Sequence, residues 1–147
     1  MINWVLKKFD DLTPRELYAI LQLRNEVFVV EQNCVFQDAD DKDQECFHYM
    51  GWKDSYLSAY VRIVPPGIAY EYPSIGRVVN SPKARGTGIG KELMHTAIIK
   101  THELFGNTSI KIGAQLYLKK FYESLGFKQT GEIYLEDGIE HIEMMLF

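Results

Sequence analysis

The segment from Ile75 to Gly90 narrows the possible folds more than any other part of the chain. Ile75 to Val79 reads as a β-strand, and Asn80-Ser81-Pro82 stops it. Glycines at 86, 88 and 90 then lead into an amphipathic helix marked by Ile89, Leu93, Ala97 and Leu104, with Gly106 as its C-terminal stop. Ser109 to Ile112 is the next short strand, and Leu118, Phe121, Tyr122 and Leu125 recur at helical spacing before Gly126. Strand, helix, strand and helix in this order imply parallel pairing in the middle of a sheet.

The flanks read differently. Phe47 to Trp52 and Tyr56 to Val64 are rich in aromatic and β-branched residues and form a hairpin around Gly51 to Ser55. Asp137-Gly138 is a tight-turn signal between Phe127 to Leu135 and Ile139 to Phe147. Near the start, Thr13-Pro14-Arg15-Glu16 carries a capping box for a helix whose buried face is Leu17, Ile20, Leu21, Val27 and Phe28. Glu31 to Glu45 loses that period and reads as a loop or broken helix. The expected fold is α/β in the α+β sense, a central mixed sheet of about seven strands with helices on both faces, in one domain spanning 1–147.

Composition excludes several other classes. The chain is 46% hydrophobic and 24% charged, which argues against disorder. A formal net charge of −4 gives no general attraction to nucleic acid. Two cysteines, Cys34 and Cys46, are too few for a disulfide framework. No apolar run approaches the ~20 residues of a membrane span, and the start does not read as a secretory signal, so a cytoplasmic location is expected.

The glycine segment is suited to a phosphate. Its helix begins with N–H groups that lack intrahelical partners, and that end carries roughly half a positive charge. Arg85 and Lys91 flank it and would add charge-assisted bonds. A P-loop requires glycine where Arg85 stands and Ser or Thr where Glu92 stands, so it does not fit. The dinucleotide pattern places its last glycine at Lys91 or Leu93 and fails as well. What remains is R-x-x-G-x-G, met by Arg85, Gly88 and Gly90.

R-x-x-G-x-G after a strand resembles the pyrophosphate loop of the GNAT N-acetyltransferases. Phe121, Tyr122, Gly126 and Phe127 resemble that family's C-terminal F/L-Y-x-x-x-G-F motif. Leu23 to Gln32, Ala114-Gln115, and Glu136-Asp137-Gly138-Ile139-Glu140-His141 are similar to the ElaA-like branch, so the resemblance covers nearly the whole chain. It implies transfer of an acetyl group from acetyl-CoA, as cosubstrate and without a metal, to a small-molecule or peptide amine. No nucleic acid or membrane partner is implied, and a homodimer is one possible assembly. By resemblance, Val78 and Val79 pair with the pantetheine arm. Arg85, Gly86, Thr87, Gly88, Ile89, Gly90 and Lys91 hold the pyrophosphate, Gln115 belongs to the cofactor site, and Tyr122 protonates the departing thiolate. The strand Ser74 to Val79 carries no carboxylate, where several family members place a general base, and Glu71 lies upstream.

Two histidines, His48 and His141, have the side chain best matched to a base near neutral pH. The acidic stretch of Asp38, Asp40, Asp41, Asp43 and Glu45 lacks the ligand pattern of a calcium loop. Cys34, Cys46 and His48 lack that of a zinc site. Two readings remain for the stretch. It is a solvated loop, or a rim on which Glu31, Asp40 and Asp43 bind and steer a cationic acceptor. A different class of function is also open, a non-catalytic acyl-CoA sensor or interaction module on the same fold, in which Tyr122 only packs.

Overall fold

Local chemistry sets most of the element boundaries in the computed structural model, which describes all 147 residues, Met1–Phe147. Thr13 caps helix α1 (Pro14–Arg24): its hydroxyl accepts from the Glu16 N–H at 3.1 Å, and the Glu16 carboxylate accepts from the Thr13 N–H at 2.8 Å. The chain continues into a wider π-helical turn, Asn25–Glu31. The strands are β1 (Asn3–Lys8), β2 (Phe47–Lys53), β3 (Tyr56–Val64), β4 (Ser74–Asn80), β5 (Ile110–Gln115), β6 (Lys128–Glu136) and β7 (Ile139–Leu146). Helices α2 (Ile89–Phe105) and α3 (Lys119–Ser124) flank β5 in sequence. No helix is long and apolar enough to cross a membrane.

Strand β3 is buried from Leu57 to Val64 because both of its faces are covered. Ala59, Val61 and Ile63 point to one core with Leu93, Met94 and Ala97 of α2. Tyr60 points the other way, to Ile20 and Leu23 of α1. This is the period-two alternation of a strand between two helical layers. Leu21, expected on the buried face of α1, is instead 39% exposed.

The seven strands and two-sided helices agree with the expected fold class, but the parallel pairing expected in mid-sheet does not form a ladder. All backbone ladders are antiparallel, in a four-stranded sheet β1-β2-β3-β4 and a three-stranded sheet β5-β7-β6. Strands β4 and β5 touch where they begin, through one bond from the Lys111 N–H to the Pro73 carbonyl at 3.0 Å. A bulge accounts for the separation further along. Tyr60 pairs with Val79 but Arg62 pairs with Gly76, so β4 carries one residue more than β3 across this stretch. Arg77 adopts a φ of 50°, in the left-handed region, and β4 bends there.

The acidic stretch is what fastens this bulge. Arg24 donates to Asp38 at 2.6 Å and to Asp43 at 2.8 Å. Arg62 donates to both oxygens of Asp40 at 2.8 and 2.9 Å and to Asp43 at 2.9 Å. Arg77 lies 2.9 Å from Asp38 and 3.3 Å from Asp40. Arg24 is fully buried, and Arg62 and Asp43 nearly so. The expected acidic rim is therefore corrected: three arginines neutralise Asp38, Asp40 and Asp43, leaving little net field to steer a cation. Burial alone would raise the pKa of Asp40 and Asp43, but the arginines outweigh it and hold both below the usual carboxylate range.

A depressed folded-state pKa adds stability that is fully present above the unfolded carboxylate value near 3.9 and drains away as pH falls toward the folded value. The melting temperature is thus expected to drop as pH falls below about 4. Asp43→Asn leaves two buried guanidinium groups short of a counter-charge and is expected to cost about 3 kcal/mol at neutral pH. It should also flatten the acid limb. Thermal melts of both proteins across pH 3–7 check this.

Candidate active site

Where β4 and β5 diverge lies a cavity of about 840 Å³. Residues Ser74 to Asn80 form one wall, and Gly113 and Gln115 of β5 with His141 of β7 and Tyr134 of β6 form the other. The π-helical turn contributes Val27, Phe28 and Glu31, and α3 contributes Phe121 and Tyr122.

One end of the cavity meets the glycine turn. Gly86 and Gly88 have φ of 80° and 81°, which a side chain would strain, and nothing would touch a Cβ at either. Gly90 lets the Asn80 side chain lie close: a Cβ there would come 2.8 Å from the Asn80 amide nitrogen, which would have to shift. Helix α2 starts at Ile89, and its first bond in this register is the Glu92 N–H to the Gly88 carbonyl at 3.3 Å. The N–H groups of Ile89, Gly90 and Lys91 are therefore the free donors of a helix start. Arg85 and Gly90 border the cavity, Gly86, Thr87, Gly88 and Lys91 are exposed beside it, and the Ile89 side chain is buried in the core. Thr87 donates its hydroxyl proton to the Ala84 carbonyl at 2.5 Å, which tightens the turn.

Val78 and Val79, at the bulge, lie along the cavity wall. Gln115 does too, and its amide exchanges two bonds with Gln32 at 3.2 and 3.4 Å. Tyr122 is 5% exposed, between Phe121 and Phe127 in edge-on contacts, and borders the cavity. Burial, with a smaller contribution from Tyr117, pushes its phenol well above the ordinary value, so it stays protonated at neutral pH. Tyr117 itself is 72% exposed.

The remaining candidates are placed differently. His48 is fully buried and away from the cavity; its Nδ1 accepts from the Tyr60 hydroxyl at 2.7 Å and its Nε2–H donates to the Asp43 carbonyl at 2.9 Å. Burial lowers its pKa. With both nitrogens engaged, His48 has no lone pair for a substrate, which corrects its reading as a base. Asp43 is likewise off the cavity and locked by Arg24 and Arg62, while Asp40 borders it but is held by Arg62 and Arg77. Glu31 borders the cavity, and its two oxygens accept from both terminal nitrogens of Arg85, at 2.6 and 2.5 Å. His141 is 6% exposed and borders the cavity.

Sequence reading missed Gln32, Arg77, Tyr70, Tyr134 and Glu136, all at or near this site. For Tyr134 a signal existed, because a two-residue turn at Asp137-Gly138 fixes the register and sets Tyr134 opposite His141.

Comparison with known proteins agrees with this geometry. Residues 19–146 match the family model described as an acetyltransferase (GNAT) domain. Protein ElaA of Escherichia coli is 42% identical over 98% of this chain and 95% of its own. Its crystal structure superposes with a TM-score of 0.92 at 41% identity, covering 99% of both chains. An acyl-CoA N-acyltransferase from Pseudomonas aeruginosa gives a TM-score of 0.94 at 44% identity, again over 99% of both chains. An aminoglycoside 6'-N-acetyltransferase complexed with coenzyme A shares the fold, with a TM-score of 0.69 at 16% identity over 96% of this chain and 95% of its own. The splayed sheets, the glycine turn at the start of α2 and this likeness over nearly the whole length lead to one conclusion: the chain belongs to the GNAT acetyltransferase family, in its ElaA-like branch.

Proposed function

We propose that this protein transfers the acetyl group of acetyl-CoA to a small-molecule or peptide amine by direct attack on the thioester. The observation that carries the reading is Tyr122, a buried and protonated phenol bordering the cavity that opens between β4 and β5. A non-catalytic acyl-CoA sensor would need the glycine turn but would have no use for a proton donor held there.

In this reading the pyrophosphate lies on the free N–H groups at the start of α2 and draws Arg85 toward it. The pantetheine arm runs along β4, where the bulge at Arg77 and Val78 frees backbone groups from the β3 ladder. The thioester then sits between the sheets. The neutral amine attacks its carbonyl carbon, the tetrahedral intermediate collapses with cleavage of the C–S bond, and Tyr122 donates its proton to the leaving thiolate. The amide nitrogen gives up its surplus proton, through solvent, to restore the phenol. Holding amine and thioester together can supply up to ~7–11 kcal/mol of the barrier reduction.

Two outcomes are expected. Arg85→Glu should weaken acetyl-CoA binding at least tenfold by calorimetry, with an unchanged circular dichroism spectrum. The exchange Glu31→Arg with Arg85→Glu restores the ion pair but leaves a carboxylate near the pyrophosphate. Its affinity should stay low, and recovery to the wild-type value would show that Arg85 serves only the ion pair. Tyr122→Phe should lower kcat at least tenfold with acetyl-CoA affinity nearly unchanged. Unchanged turnover with chemistry rate-limiting would return Tyr122 to the core.

A further inference from the structure

The amine must shed a proton before it attacks, and most acidic or basic groups around the cavity are already committed. Glu31 is bound to Arg85, and Asp38 and Asp40 are bound to arginines. Cys34 donates its thiol proton to the Asp137 carbonyl at 3.3 Å. Phenols aside, the ionisable groups that remain along the cavity are Lys42, Glu136, Asp137 and His141. Of these the imidazole is the one of the class suited to take a proton near neutral pH. The imidazole Nδ1 of His141 lies 2.8 Å from the Ile139 carbonyl, which can only accept, so Nδ1 carries the proton and Nε2 carries the lone pair. Nε2 faces the Glu136 carboxylate at 3.6 Å.

The second sheet builds this arrangement by register. Gln115 on β5, His141 on β7 and Tyr134 on β6 are cross-strand partners, and cross-strand partners share a face. The Tyr134 ring lies 5.7 Å from the imidazole. Its hydroxyl and that of Tyr70 converge over Gly113, where a Cβ would come within 2.6 and 3.1 Å of them. That glycine keeps the face low enough for both phenols to close over it. Besides Glu136 and Tyr134, the titratable groups on these three strands are Lys111, Lys128, Glu132, Glu140 and Glu143; Tyr70 reaches in from the segment before β4, and Asp137 lies in the adjoining turn.

Resting on the acetyltransferase reading above, we infer that His141 is the general base of the reaction, with Glu136 as the counter-charge to its imidazolium form. The ammonium form of the acceptor gives one proton to Nε2, leaving a neutral amine and an imidazolium. The amine attacks as described, and the imidazolium passes its proton to solvent after CoA leaves. The Ile139 carbonyl orients the neutral ring through the Nδ1–H, and Glu136, beside Nε2, attracts the ammonium to that nitrogen and compensates the imidazolium charge once the proton has moved. Among side chains, histidine is the class suited to proton acceptance near neutral pH.

The test uses the full chain with acetyl-CoA and three acceptor probes: spermidine, glucosamine and a lysine-containing peptide. His141→Gln is expected to lower kcat/KM by about 10²–10⁴, to leave acetyl-CoA affinity by calorimetry unchanged, and to remove the acidic limb of the pH profile. His141→Ala should regain part of its turnover when free imidazole is added. Glu136→Gln should lower kcat without changing acetyl-CoA affinity. Retained turnover in His141→Gln overturns the assignment, as does loss of acetyl-CoA binding in step with turnover and no rescue by imidazole. Absence of CoA release by the wild-type protein with every probe would instead sink the acetyltransferase reading and this inference with it.

Discussion

One extra residue in β4 separates this molecule from an ordinary seven-stranded sheet. Opposite Val61 the strand carries both Arg77 and Val78, and Arg77 takes a backbone conformation that non-glycine residues rarely hold. Such a conformation costs of order 1–3 kcal/mol and persists only where the surroundings enforce it. Here Asp38 and Asp40 grip the Arg77 side chain, and Arg24 and Arg62 grip those aspartates in turn. The ion-pair network and the cavity are thus cause and consequence: the network secures the bulge, the bulge bends β4, and the bend opens the space between the sheets.

That space has two chemically different sides. At the glycine turn the protein offers helix N–H groups and a guanidinium, both suited to anions. Across the cavity, the face of β5, β7 and β6 offers phenols, amides, an imidazole and carboxylates. The π-helical turn and the residue that caps it span the two, with Glu31 on Arg85 and Gln32 on Gln115. Charge is therefore sorted along the cavity rather than between the cavity and an external rim.

The features legible in the sequence were those set by local chemistry. Thr13 and Glu16 announce their capping box, Gly86, Gly88 and Gly90 the turn that opens α2, and Asp137-Gly138 its hairpin, because each depends on neighbours a few residues away. The splay of β4 from β5 is harder to read, since the register shift between β3 and β4 is marked in sequence only by Gly76, an isolated glycine inside the strand pattern at its edge. The rim reading of the acidic stretch fails for a related reason. Its partners Arg24, Arg62 and Arg77 lie on three different elements, and nothing local to Asp38 or Asp43 reveals that guanidinium groups close over them. His48 looked available because a strand histidine shows its pKa class in sequence but not its two hydrogen bonds.

The most direct test of acyl-CoA binding between the sheets is amide hydrogen exchange with and without coenzyme A, resolved by residue. If the cofactor lies along the bulge and on the helix start, exchange should slow at Arg77, Val78 and Val79 and at Ile89, Gly90 and Lys91. The rest of the core, already protected, should change little. Protection confined to other surfaces, or binding that leaves both the bulge and the start of α2 exchanging at their free rates, would contradict the account.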